Sequence, residues 1–85
     1  MRIEGDTIIF RSAAAWYEVE KSGEKPNTLR LLDYHEVTEI AGTALRKIRI
    51  ERADGTETFT RPIGRIFNLE PLLGKTLVMV CWSAR

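Results

Sequence analysis

The chain has 85 residues, 44% hydrophobic and 29% charged, with a formal net charge of +1. That length suits one domain spanning 1–85 with a core of modest size and excludes a second catalytic domain. One cysteine, Cys81, and one histidine, His35, exclude an internal disulfide and a thiolate-imidazole cluster, so no metal and no cofactor are expected.

No apolar run approaches the roughly 20 residues of a membrane span, and residues 1–6 lack the apolar core of a secretory signal. The expectation is a chain that is not exported, has no membrane contact and sits in a reducing, cytoplasmic compartment. The small net charge hides an asymmetry. Residues 1–45 carry five Lys or Arg against eight Asp or Glu, and residues 46–65 carry six against three. A positive hairpin of that size can steer one anionic ligand but is too weak for strong nonspecific binding to duplex DNA.

In chain order, residues 7–10 follow Gly5-Asp6 and read as a short buried strand, expected to lie centrally. Ser12 is a candidate N-cap for a helix over 13–22, rich in alanine at its start. Trp16 and Val19 can share a face with Ala15 and would anchor that helix on the sheet. Gly23 can take the left-handed conformation that ends it, and Pro26 biases Lys25 towards extended geometry. A strand over 28–32 then places Thr28, Arg30 and Leu32 on one face, with Leu29 and Leu31 on the other.

After a polar break at 33–35, alternation over 36–40 predicts a half-exposed strand, and 45–52 alternates again. Asp54-Gly55 predicts a two-residue type I′ turn, with Ala53 opposite Thr56. That register sets Arg52 against Glu57, Ile50 against Phe59 and Ile48 against Arg61. Pro62 is expected to interrupt or edge the ladder, with a short strand resuming over 63–67. Residues 68–75 predict a loop or one helical turn, and the apolar run 76–82 predicts a strand buried on both faces. The expected fold is α+β: a small, partly closed, mainly antiparallel β-barrel of about five to six strands with one N-terminal helix packed on it.

Gly23, Lys25, Thr28 and Arg30, between a helix and a strand, form the pattern G-x-K-x-x-T-x-R. This pattern resembles the ASCH domains of the PUA-like superfamily, whose signature reads G-x-K-x-x-E-x-R. The threonine version is similar to the small bacterial amidohydrolases that act on N4-acetylcytidine. The resemblance covers the first third of the chain and implies the same barrel with a helix on one side. It also implies Thr28 as nucleophile, Lys25 as the group that activates it, and a more distant glutamate. The helical insertion that carries that glutamate in the family is missing here, so Glu70 in the late loop is the candidate, with Glu39 behind it.

The residues themselves support bland as well as chemical readings. Lys25 could hold a phosphate or act as a desolvated base, or be a solvated lysine at a turn. Thr28 needs a base within hydrogen-bond reach, and otherwise fills a strand. Arg30 could offer a planar fork to a phosphate or base edge, or pair with Asp33 or Glu36. Arg49, with Lys47 and Arg65, could extend a binding surface or be a solvated hairpin face. Trp16, Tyr17 and Trp82 could stack on a base; Trp16 and Trp82 are expected instead in the core, and Tyr17 and Tyr34 near a cleft.

Three functions follow. The first is a small nucleotide or single-stranded RNA-binding module using Lys25, Arg30, Tyr17 and Arg49. The second is an amidohydrolase on an acylated nucleoside, with Lys25, Thr28 and Glu70. The third is a non-catalytic module for a protein partner, of the kind found in viral or mobile genomes. A monomer or homodimer is expected in each.

Overall fold

The computed structural model describes residues 1–83, and β-structure dominates them. In chain order the elements are β1 (Arg2–Glu4), β2 (Thr7–Ser12), α1 (Ala14–Ser22), β3 (Asn27–Leu32), α2 (Tyr34–Ala41), β4 (Lys47–Arg52), β5 (Thr58–Leu72) and β6 (Lys75–Trp82). The strands form one six-stranded sheet in the order β1-β2-β4-β5-β6-β3, antiparallel except where β2 runs parallel to β4. The sheet is not closed; β1 and β3 are its edges, and β2 lies one strand in from an edge rather than centrally.

β5 is the strand that bends the sheet. It pairs with β4 as far as Pro62, opposite Lys47, and with β6 from Ile63 onward. Pro62 thus edges the ladder, as one of the two expectations has it, and does not interrupt the strand, because its missing N–H falls where one ladder ends. A register shift at Gly64 completes the bend, and a Cβ there would stand 3.4 Å from the Cys81 carbonyl oxygen. The inner faces of the two halves enclose a core that includes Ile8, Phe10, Tyr17, Ile48, Ile50, Phe59, Val80 and Trp82.

The β4–β5 register is the expected one, with Ile50 opposite Phe59 and Ile48 opposite Arg61. The connecting turn is different. Gly55 takes positive φ but Asp54 does not, and four residues separate the paired Arg52 and Glu57. The Asp54 carboxylate accepts from the Thr56 amide at 3.0 Å and its hydroxyl at 2.7 Å, while the Ala53 amide donates to the Ser12 carbonyl at 2.9 Å. These local bonds hold the aspartate at negative φ and take Ala53 out of the ladder.

The turn with two positive φ values lies elsewhere. Residues 68–72, predicted as loop, continue β5, and Leu73 and Gly74 join β5 to β6 at φ 53° and 75°. Leucine is a poor occupant of that conformation, at a cost of roughly 1–2 kcal/mol, and its side chain is 91% exposed, so it recovers nothing by burial. Leu73→Asn is therefore expected to stabilise the protein by about 1 kcal/mol. An unchanged or lowered denaturation midpoint would show that the leucine is not strained.

The predicted strand over 36–40 is helix α2. Asp33 and Glu36 form a reciprocal capping box, the Asp33 side chain accepting from the Glu36 amide at 2.9 Å and the Glu36 carboxylate from the Asp33 amide at 3.1 Å. Val37 and Ile40, one helical turn apart, pack against the core. β6 also departs from expectation. Val78, Val80 and Trp82 are buried, whereas Leu77, Met79 and Cys81 are half-exposed on the outer face.

Helix α1 starts one residue late, with Ala13 and not Ser12 at the N-cap, and ends on Gly23 in the left-handed conformation. Its buried residues are Tyr17 and Glu20, not Trp16. Tyr17 is fully buried with its ring 5.3 Å from that of Phe59, while Trp16 is 58% exposed. Hydrophobicity favours the Trp16 and Val19 stripe over one containing a glutamate. The glutamate stripe goes inward because two strands supply it with partners.

Candidate functional site

The turn after α1 delivers its side chains to a gap in the sheet. β1 pairs only with residues Thr7, Ile8 and Ile9 of β2, so the end of β2 from Phe10 to Ser12 has no strand on that side. Arg30 of β3 reaches across this gap. Its Nη1 donates to the Arg11 carbonyl at 2.6 Å, its Nη2 to the Ser12 hydroxyl at 2.7 Å and its Nε to the Thr28 hydroxyl at 3.0 Å. A guanidinium fork therefore stands where a ladder would otherwise join β2 to β3.

Ser12 passes the interaction on. Its hydroxyl donates to Glu20 Oε1 at 2.7 Å, linking a carboxylate that is only 1% exposed to the guanidinium through one hydroxyl. A buried carboxylate is costly unless it is hydrogen-bonded and faces an opposite charge, and this network supplies both. Burial lowers the Arg30 pKa and the charge of Glu20 opposes that shift. A guanidinium is basic enough to stay charged all the same. It also stacks on Phe10, 4.8 Å from the ring centroid.

A cavity of about 470 Å³ opens over this network, walled by Ser12, Trp16, Glu20, Lys25, Thr28 and Arg30 among others. The Lys25 ammonium lies 4.7 Å from the centre of the exposed Trp16 ring. Such a cation over an indole is worth about 0.5–1 kcal/mol at an exposed site. Because Ala13 offers no side-chain cap, the first-turn amides of α1 are left free of one at the same wall.

Of the residues singled out in the sequence, Lys25, Thr28 and Arg30 come together here, as strand alternation and the turn require. The others do not. Tyr17 lies in the core, where burial, and then the nearby Glu57 charge, raise its pKa. Arg49 sits on the outer face of β4, 3.8 Å from Glu4. Glu70 is exposed on β5 opposite Leu77, and Glu39 is exposed on α2; neither borders the cavity. Thr28 is 2% exposed and, among the described residues, bonded to Arg30 and not to Lys25.

Sequence reasoning missed Glu20 and Ser12 as cavity residues and expected in the core a Trp16 that is exposed at the cavity wall. The spacing of Tyr17 and Glu20, three apart on a helix, was the available signal: burying the tyrosine carries the glutamate in with it. Among the described residues no group of three or more His, Cys, Asp or Glu side chains is placed to hold a metal ion, and no helix is long and apolar enough to cross a membrane. Comparison with protein-family models, curated proteins and solved structures finds no match.

Proposed function

We propose that this chain is a small PUA-like module of ASCH type and that the cavity between α1, β2 and β3 binds a nucleoside unit of a nucleotide or single-stranded RNA. The observation that carries the reading is the meeting of an exposed indole, two cations and a buried carboxylate in one cavity. Trp16 offers a face on which a base can stack, a contact worth about 1–3 kcal/mol. Three of the five guanidinium N–H donors of Arg30 are committed, leaving two for a base carbonyl or a phosphate. Glu20 adds an acceptor for an exocyclic amine, a pattern that suits the polar edge of cytosine.

A second reading, amide cleavage on an acylated nucleoside such as N4-acetylcytidine, is favoured by Glu20, a carboxylate beside Lys25 and Thr28 in the cavity. For that chemistry Lys25 must leave Trp16, reach the Thr28 hydroxyl in neutral form, take its proton as the oxygen attacks the acyl carbon and pass it to the amine as the C–N bond breaks, after which water hydrolyses the acyl-threonine to acetate and restores the hydroxyl. Binding ranks first because it needs no rearrangement.

The test is a titration with cytidine, N4-acetylcytidine and a short single-stranded RNA, reading indole fluorescence and released acetate. Trp82 is buried, so quenching reports Trp16. Quenching is expected in the wild type, and in Trp16→Ala, which lacks the reporting indole, calorimetric titration is expected to find affinity lost about 5- to 100-fold. Saturable quenching without acetate supports the binder, and acetate supports the hydrolase. No quenching by any of the three overturns the reading.

A further inference from the structure

A second cavity of about 390 Å³ adjoins the first, bordered by Arg2, Ile9, Phe10, Arg11, Arg30 and Glu51 among others. The two share Arg11 and Arg30, so the fork that closes the sheet forms the partition between them. Each volume lies near the lower end of the roughly 300–1,000 Å³ of small-ligand sites.

The charges along the two cavities are unequal. Lys25, Arg30, Arg11 and Arg2 stand against Glu20 and Glu51. Glu51 is shared, with Arg2 Nη2 at 3.0 Å and Arg11 Nε at 3.5 Å. Hydrogen bonding by Arg2 holds its carboxyl below the usual range. Arg2 Nε is also held by Glu4 at 2.9 Å, so the hydrogen-bonding capacity left beside the partition is that of the exposed Arg11 and of Arg30, which keeps two uncommitted N–H donors. A neutral nucleoside in the first cavity leaves those donors at the partition without an anionic acceptor.

We infer that the two cavities are consecutive subsites for a phosphodiester-linked strand, with one base on Trp16, the linking phosphate at Arg11 and Arg30, and the next nucleoside in the cavity walled by Arg2. This rests on the proposed nucleoside site and deepens it: the ligand is a single-stranded oligonucleotide of two or more units, not a free nucleoside. An arginine fork suits a phosphate, and each neutralised phosphate makes affinity fall with salt.

The experiment compares cytidine with the dinucleotide CpC by fluorescence titration at two salt concentrations, in the wild type, Arg2→Gln and Arg11→Gln, each first checked for folding by its melting curve. The expected result is CpC binding about 10-fold or more tighter than cytidine and weakening with salt, while cytidine does not. Arg2→Gln is expected to weaken CpC severalfold and leave cytidine unchanged, and Arg11→Gln to weaken CpC and flatten its salt dependence. Equal affinity for cytidine and CpC, or CpC binding indifferent to both substitutions, overturns the two-subsite inference while the nucleoside site stands. No binding of either ligand overturns the nucleoside site and this inference with it.

Discussion

Truncating Tyr17 to alanine is expected to cost about 3–5 kcal/mol, whereas truncating its neighbour Trp16 is expected to cost less than about 1 kcal/mol. The asymmetry follows from burial. Tyr17 is fully enclosed and joins α1 to the sheet through Phe59, whose ring in turn lies 6.0 Å from that of Trp82. Removing it opens a cavity in a small core that has little packing to spare. Trp16 is mostly in water and its recorded ring partner is the Lys25 ammonium. A domain of this size loses about 4–8 °C of melting temperature per kcal/mol, so paired thermal melts separate the two variants clearly. Similar losses in both would mean that Trp16 is a core residue and that the cavity wall is misassigned. Among the described residues the buried Tyr17 hydroxyl has no partner in hydrogen-bonding geometry, so the ring and not the hydroxyl carries the expected loss.

Glu20→Ala is expected to destabilise by about 2–4 kcal/mol, an unusual cost for removing a carboxylate from a helix. The substitution leaves the buried Ser12 hydroxyl without its acceptor and the half-buried Arg30 without the charge that offsets its desolvation. Glu20→Gln keeps an acceptor and loses the charge, and should fall between. Glu18, two residues earlier, is exposed and paired with Arg52 at 3.5 Å, so Glu18→Ala is expected to change stability by about 0.5 kcal/mol or less. A cycle with Ser12→Ala should show a coupling above about 1 kcal/mol, because the two side chains act as one unit. If chemical denaturation finds Glu20→Ala no worse than Glu18→Ala, the network does not hold the gap between β2 and β3.

Both predictions turn on α1, where reading the sequence was least successful. The helix itself was legible from its alanines and from Gly23, but its rotation was not. Two stripes compete, one through Trp16 and Val19 and one through Tyr17 and Glu20, and a local polarity count prefers the first. Elsewhere a locally encoded signal was overlooked. Asp33 and Glu36 have capping-box spacing, and Val37 and Ile40 fit a helix as well as a strand. Asp54-Gly55 shows the reverse error, in which a strong turn signal was given the wrong turn because the aspartate side chain satisfies its own neighbours.

What the sequence determined by itself were features set by neighbours along the chain. The β4–β5 register follows from alternation on both sides of Asp54-Gly55. The common face of Thr28 and Arg30 follows from strand period, and their approach to Lys25 from Gly23 and Pro26. Only the tertiary structure decided which face of α1 turns inward, which carboxylate joins Lys25 and Thr28, and that the sheet stays open between β2 and β3. Each depends on groups distant in the chain: Ser12 on β2 and Arg30 on β3 make burial of Glu20 tolerable, and the shortness of β1 leaves the β2 edge that Arg30 occupies. A side chain's own polarity sets the cost of burying it, but the partners that offset this cost come from other strands, and no local pattern encodes their arrival.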